Sequence, residues 1–315
     1  MRKAVIDLGT NTFHLFIVDT SNNELKTVYR EKIAVKLGQN GISKGEIAPD
    51  AQKRALNALN CFKDIIDQFE VESVRGVATS AMRSAQNGKD LVTAIIDQTG
   101  IEIEVISGDR EAELIFEGVR AGLELGNEQC LTMDIGGGSV EFIIGNAKEI
   151  VWKRSFEIGA QRLLDKFHKH DPMPAQNIQD MFDWLRPELE ELTDSIAKFK
   201  PKRLIGCSGT FDTLANIYWE EHNLDSGMQK TTFLLPVKAY RNTHRDILIK
   251  DREGRLTIPG MATMRVDMIV VASVLISFVL EHLDVTHITC CKYALKEGLL
   301  FSDEHKPISE LSSKA

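Results

Sequence analysis

The chain has no pair of cysteines at the spacing that a metal or redox site needs. Its five cysteines are Cys61, Cys130, Cys207, Cys290 and Cys291, and no C-x-x-C occurs among them. Neither a zinc site nor a thioredoxin-like motif is implied, and reduced, buried thiols in a cytoplasm are the expectation. Aromatic residues are scarce at 7%, and the abundance of Ile, Leu, Val and Ala suits an α/β protein with buried strands. There is no excess of positive charge: the formal net charge is -8. That excludes a nucleic-acid footprint at the level of the whole chain, although a locally positive cleft on an acidic protein can still take a polyanion. The longest apolar run, IVVASVLISFVL from Ile269 to Leu280, is too short to span a bilayer and reads as a buried helix. The opening MRKAVIDLGTN is broken by Asp7, so neither a signal peptide nor a membrane partner is expected.

What is present is a repeated pattern. VIDLGTN begins at Val5 and TMDIGGGSVEF at Thr132. Each sets an Asp near the end of an apolar run and follows it with a glycine turn. After the first, TFHLFIVD and LKTVYREKIAV alternate as hairpin strands do. Pro49 to Phe69 carries Ala51, Ala55, Leu59, Phe62, Ile66 and Phe69 at helical spacing. A strand (SVRGVATSA), a helix ended by Gly100, a strand (IEIEVIS) and an acidic-start helix (DREAELIFEGVRAGL) follow. Near Gly126 the strand-turn-strand-strand pattern restarts. The division is therefore 1–125 and 126–315, with a terminal helix of about 300–315 returning to the first half. In the second half KFHKHDPMPAQ reads as a polar loop. NIQDMFDWLRPELEELTDSIAKF reads as a long helix that Pro187 kinks or divides. RLIGCSGTFDTLANIY reads as strand, glycine turn and helix, and a last helix starts at about Lys292.

Glycine turns expose backbone N–H groups and make anion-binding concavities. GGGS (Gly136 to Ser139) and GTNT (Gly9 to Thr12) add hydroxyl and amide donors, and GCSGT (Gly206 to Thr210) opens a helix where an anion is favoured. The carboxylates of Asp7 and Asp134 beside such turns would repel phosphate unless a cation intervened. Mg²⁺ suits that place, being held by one or two carboxylates with phosphate oxygens and water. Glu141 follows Ser139 by two residues and shares its face of a strand. Taken alone, Glu111 is more readily a first-turn helix acid, and a single glycine turn after a strand is more readily structural.

Jointly, these segments resemble the actin, sugar kinase and Hsp70-type ATPase superfamily. Within it they are most similar to the exopolyphosphatase and guanosine pentaphosphate phosphatase (Ppx/GppA) family. The matching stretches are AVIDLGTNTFHLFI, GVATSAMRSAQN, VISGDREAELIFEGV, LTMDIGGGSVEF, IGAQRL, IGCSGTFDTLA, PGMATMRVDMIVVAS and ALKEGLL. The resemblance implies an α/β fold of two ribonuclease H-like, actin-like ATPase domains with a phosphate-binding cleft between them. It implies hydrolysis of a terminal phosphoanhydride with Mg²⁺ as cofactor. Glu111 would orient and deprotonate the attacking water, and Arg83 would clamp phosphate oxygens. Asp134 and Glu141 would serve Mg²⁺. Gly137, Gly138 and Ser139 would bind the terminal phosphate with Thr10 and Asn11 opposite, and Gly209 and Thr210 would form a third phosphate site.

The chain departs from the family pattern at three places. Arg110 precedes Glu111 where acids are usual, Cys207 and Ser208 stand in a more glycine-rich loop, and Lys296 replaces an Arg, which weakens bidentate contact. The length matches a short two-domain form without a channel built by extra domains. Arg252, Arg255, Arg265 and Lys292 are basic residues that could line the cleft. The expected partner is inorganic polyphosphate or guanosine pentaphosphate. A phosphotransferase and a non-catalytic sensor of the same ligands remain as alternatives, and a homodimer is an alternative with no sequence signature.

Overall fold

The computed structural model describes residues 1–21, 26–224 and 231–302. They form two compact units, Met1–Ala121 with the segment from Ala294, and Gly122–Tyr293. The division falls at 121/122, four residues before the restart read from the sequence. The chain re-enters the first unit at Ala294. Beyond Ser302, the helix expected at about 300–315 lies outside the described residues.

The first unit is built on strands β1 (Arg2–Leu8), β2 (Phe13–Asp19), β3 (Lys26–Ile33), β4 (Ser73–Ala78) and β5 (Ile103–Val105), in the order β3-β2-β1-β4-β5. The first three form an antiparallel meander, and β4 and β5 run parallel to β1. Parallel neighbours need crossovers. These are supplied by α1 (Pro49–Gln68) before β4, and by α2 (Ser80–Ser84) and α3 (Gly88–Thr99) before β5. Helix α1 buries Ala51, Ala55, Leu59, Phe62 and Ile66, the stripe its spacing predicts. Helix α4 (Gly108–Gly122) follows β5. Helix α12 (Leu295–Phe301), three residues later than expected, packs on α4 almost backbone to backbone. A Cβ on Gly298 would collide with the Leu114 carbonyl, and one on Gly118 with the Ala294 carbonyl.

The second unit repeats that plan. Strands β6 (Cys130–Ile135), β7 (Val140–Gly145) and β8 (Ile150–Phe156) form the meander, and β9 (Arg203–Cys207) and β11 (His287–Cys291) extend it in parallel. The order β8-β7-β6-β9-β11 reproduces that of the first sheet, with the short β10 (Thr232–Pro236) added antiparallel at the edge. Helix α5 (Ala160–Phe167) runs into the start of the stretch expected as a polar loop. The predicted long helix is two, α6 (Ala175–Glu188) and α7 (Glu190–Phe199), parted at Leu189 just after Pro187. Strand β9 passes directly into α8 (Ser208–Glu221) without a free glycine turn. Helices α9 (Val237–Ile249) and α10 (Arg252–Leu256) were not legible from periodicity. Helix α11 (Met268–Leu280) buries every residue except Ser277, as an all-apolar helix in a core does. Among the described residues no helix is long and apolar enough to cross a membrane. Each unit has its own hydrophobic core.

Candidate active site

The two glycine turns are closed in the same way. In the β1–β2 turn the Gly9 amide donates to the Thr12 carbonyl at 3.2 Å, and in the β6–β7 turn the Gly136 amide donates to the Ser139 carbonyl at 3.0 Å. Five further turn carbonyls are tied down from behind. Those of Thr10 and Asn11 accept from Gly38 and Lys36. Those of Gly136, Gly137 and Gly138 accept from the amides of Ala160, Gln161 and Gly159, all within 3.0 Å. Arg162 adds a bond from Nε to the Gly138 carbonyl at 2.9 Å and pairs with Glu157. Gly159 has no room for a Cβ, which would strike Gly137 and Gly138. Fixing the carbonyls fixes the peptide planes, and with them the direction of the turn amides that an anion would use. This is the physical content of the IGAQR stretch.

In the first unit, Arg83 at the end of α2 donates from Nη1 to Glu111 Oε2 at 2.9 Å and to the Ile106 carbonyl at 3.1 Å. Glu111 lies in the first turn of α4 and is only 6% exposed. A carboxylate so buried needs a paired cation to remain charged. Arg110 turns outward to pair with Glu113, both exposed. Thr10 and Asn11 are buried in the β1–β2 turn. Lys296 lies 3.1 Å from Glu297, whose other oxygen accepts from the Ala294 amide and caps α12.

In the second unit, one row of residues crosses the whole sheet in register: Ser155, Glu141, Asp134, Cys207, Cys291 and Thr232. Residues directly opposed on neighbouring strands share a face, so Asp134 and Glu141 present adjacent, buried carboxylates. Each is held by a hydroxyl. Ser208 Oγ donates to Asp134 Oδ2 at 2.8 Å, and Ser155 Oγ donates to Glu141 Oε1 at 2.6 Å. A hydrogen bond between Cys207 and Cys291, together with burial, keeps the Cys207 thiol well above its ordinary range and so neutral. The oxygen-only pair of carboxylates fits a hard cation such as Mg²⁺, which keeps waters and takes phosphate oxygens. Among the described residues no His, Cys, Asp and Glu cluster of three or more is assembled, so such a cation would draw its other ligands from water and phosphate.

Ser208 adopts a left-handed backbone, φ 67°, at a cost of roughly 1 kcal/mol for a residue with a Cβ. Gly209 lies beneath the guanidinium of Arg265, and Thr210 is buried in the first turn of α8. Burial lowers the Arg265 pKa, and the carboxylates of Asp212 and Asp134 oppose that shift. Of the four basic residues considered from the sequence, Arg265 reaches this group. Arg255 is wholly buried in a bidentate pair with Asp171, Arg252 pairs with Asp267, and Lys292 stacks over Trp219. In KFHKH, Lys166 covers the Trp184 ring at 3.9 Å, and Lys169 donates to the Asp165 carbonyl.

The family model described as the Ppx/GppA phosphatase family matches residues 16–307. The chain belongs to that family. It is 45% identical to an exopolyphosphatase from Cytophaga hutchinsonii of known crystal structure, with a TM-score of 0.94 over 96% of this chain and 97% of that one. It is 28% identical over 298 residues to the guanosine-5'-triphosphate,3'-diphosphate pyrophosphatase of Photobacterium profundum, covering 95% of this chain and 58% of that protein. Exopolyphosphatase 1 of Mycobacterium tuberculosis is 27% identical over 302 residues, covering 95% of this chain and 87% of that one. The chain thus spans little more than half of the Photobacterium relative. The duplicated strand order makes this an α/β fold of two units built on one plan. The sequence reading missed Ser208 and Ser155 as contacts of Asp134 and Glu141, and Arg162 as a contact of the Gly138 carbonyl. Spacing carries no sign of them, because they meet their partners through strand register and helix docking.

Proposed function

We propose that the chain is a phosphoanhydride hydrolase that removes the terminal phosphate of inorganic polyphosphate and releases orthophosphate. The observation that carries this reading is the buried Glu111 carboxylate paired with Arg83 at 2.9 Å. A carboxylate kept charged out of bulk water is suited to orient and deprotonate an attacking water. The Arg83 guanidinium is assigned to the phosphate oxygens, where it would offset the charge developing on them. The amides of Gly137, Gly138 and Ser139, with Thr10, Asn11, Gly209 and Thr210, are assigned to phosphate binding. Asp134 and Glu141 would hold Mg²⁺, which when bound supplies positive charge against the phosphate oxygens. Catalysis of this kind is mostly positioning and electrostatics.

The Photobacterium relative's name favours a second substrate class, guanosine pentaphosphate, for the same chemistry. The deciding experiment is orthophosphate release from long-chain polyphosphate with Mg²⁺, for the unmodified chain and Glu111→Ala, with guanosine pentaphosphate as competing substrate. Release that collapses in the variant supports the reading. Release that survives removes Glu111 from its role. Tight polyphosphate binding without turnover would instead favour a sensor.

A further inference from the structure

We propose that Ser208 is a positioning residue whose hydroxyl fixes the Asp134 carboxylate for a divalent cation; the inference rests on the Mg²⁺ reading given above. The starting observation is a mismatch between residue and backbone. Six non-glycine residues have left-handed φ among those described: Lys36, Asn40, Glu70, Lys200, Ser208 and Asn223. Glu70, Lys200 and Asn223 lie at the ends of α1, α7 and α8, where a left-handed residue commonly closes a helix. Lys36 and Asn40 lie outside regular elements. Ser208 differs from all five because it opens a helix, directly after β9.

Glycine adopts this conformation without penalty. What serine adds there is a Cβ and a hydroxyl, and the hydroxyl has a definite use: it donates to Asp134 Oδ2 at 2.8 Å. The register brings this about, since Asp134 on β6 is directly opposite Cys207, the last residue of β9. The left-handed step after Cys207 carries the Ser208 side chain to the neighbouring carboxylate. Residues that hydrogen-bond a ligating carboxylate orient it, and their loss typically weakens metal binding about 10- to 100-fold. The Ser155 hydroxyl stands in the same relation to Glu141.

The two roles of Ser208 have opposite signs, which makes them separable. The variants are Ser208→Gly, which relieves the backbone and loses the hydroxyl, and Ser208→Ala, which keeps the Cβ and loses the hydroxyl. The measurements are melting temperature, Mn²⁺ binding by electron paramagnetic resonance with inorganic phosphate present, and the Mg²⁺ concentration for half-maximal phosphate release. The expected result is Mn²⁺ affinity weakened about tenfold in both variants, a matching rise in the Mg²⁺ requirement, and a Ser208→Gly melting temperature at or above that of the unmodified chain. Mn²⁺ affinity unchanged within about twofold in both would overturn the inference. So would a Ser208→Gly variant whose loss of metal binding merely follows a loss of stability. If the unmodified chain neither binds Mn²⁺ nor requires Mg²⁺, the metal reading itself falls and this inference with it, an outcome visible before any variant is compared.

Discussion

Arg83 and Glu111 are 28 positions apart, and a single nitrogen of Arg83 joins the Glu111 carboxylate to the Ile106 carbonyl just before α4. The pair therefore places a cation against the Glu111 carboxylate and ties it to the head of that helix. Glu111→Gln keeps the shape and most hydrogen bonding but removes the carboxylate proposed as the base. Phosphate release is expected to fall about 10²- to 10⁴-fold, with KM for polyphosphate changed much less than kcat. Steady-state assays at saturating Mg²⁺ measure this, and a variant retaining more than a tenth of the activity would refute the assignment.

Asp134 and Glu141 oppose one another on β6 and β7, and like charges so placed destabilise a sheet. Glu141→Gln keeps an acceptor for Ser155 and removes one charge. The metal-free variant is expected to melt no lower than the unmodified chain, while the stabilisation by Mg²⁺ with phosphate disappears. At a ligand concentration of 100 times Kd that stabilisation is about 2.7 kcal/mol, well within reach of thermal-shift measurement.

Gly159 abuts the Gly136–Ser139 turn with no space for a side chain. Gly159→Ala must push α5 away or tilt the turn peptides. Overpacking of this kind costs about 1–3 kcal/mol. The measurable outcomes are a lower midpoint in urea and weaker inorganic phosphate binding by calorimetry. Binding unchanged in a destabilised variant would separate the brace from the ligand site.

His244 on α9 contacts the Ser273 hydroxyl on α11 at 3.0 Å. Burial first, and the nearby Arg241 charge second, lower its pKa to about 4. The unfolded chain takes up that proton near pH 6.5 and the folded chain only near pH 4. Stability should therefore fall as pH drops through this window, by on the order of 2–3 kcal/mol. His244→Gln should flatten that part of the profile when urea midpoints are compared from pH 7 to pH 4.

The paired Asp-Gly turns were legible because glycine and its neighbours set turn geometry locally. The stripe of α1 was legible because its burial follows one period. The adjoining carboxylates of the second turn could be read for the same reason, since Asp134 and Glu141 flank it. Helix α5 was hidden because KFHKH dominates its polar end. Helix α9 carries only Tyr240, Thr243 and Ile247 as buried residues, too few for a clear pattern.

What the sequence by itself determined are the features written within a few residues of one another: two glycine turns, the acids beside them and the restart of the plan near Gly126. The tertiary structure decided which distant groups meet. Arg252, Arg255, Arg265 and Lys292 carry the same charge, yet Arg265 reaches Gly209 and the Asp134 carboxylate's field while Arg255 is consumed by Asp171. Ser208 and Asp134 are 74 positions apart and meet because β6 and β9 are parallel neighbours in one register. Dihedral preferences act between adjacent residues, so they leave a local signature. Register and helix docking depend on burying whole faces at once, and no short stretch of sequence records that.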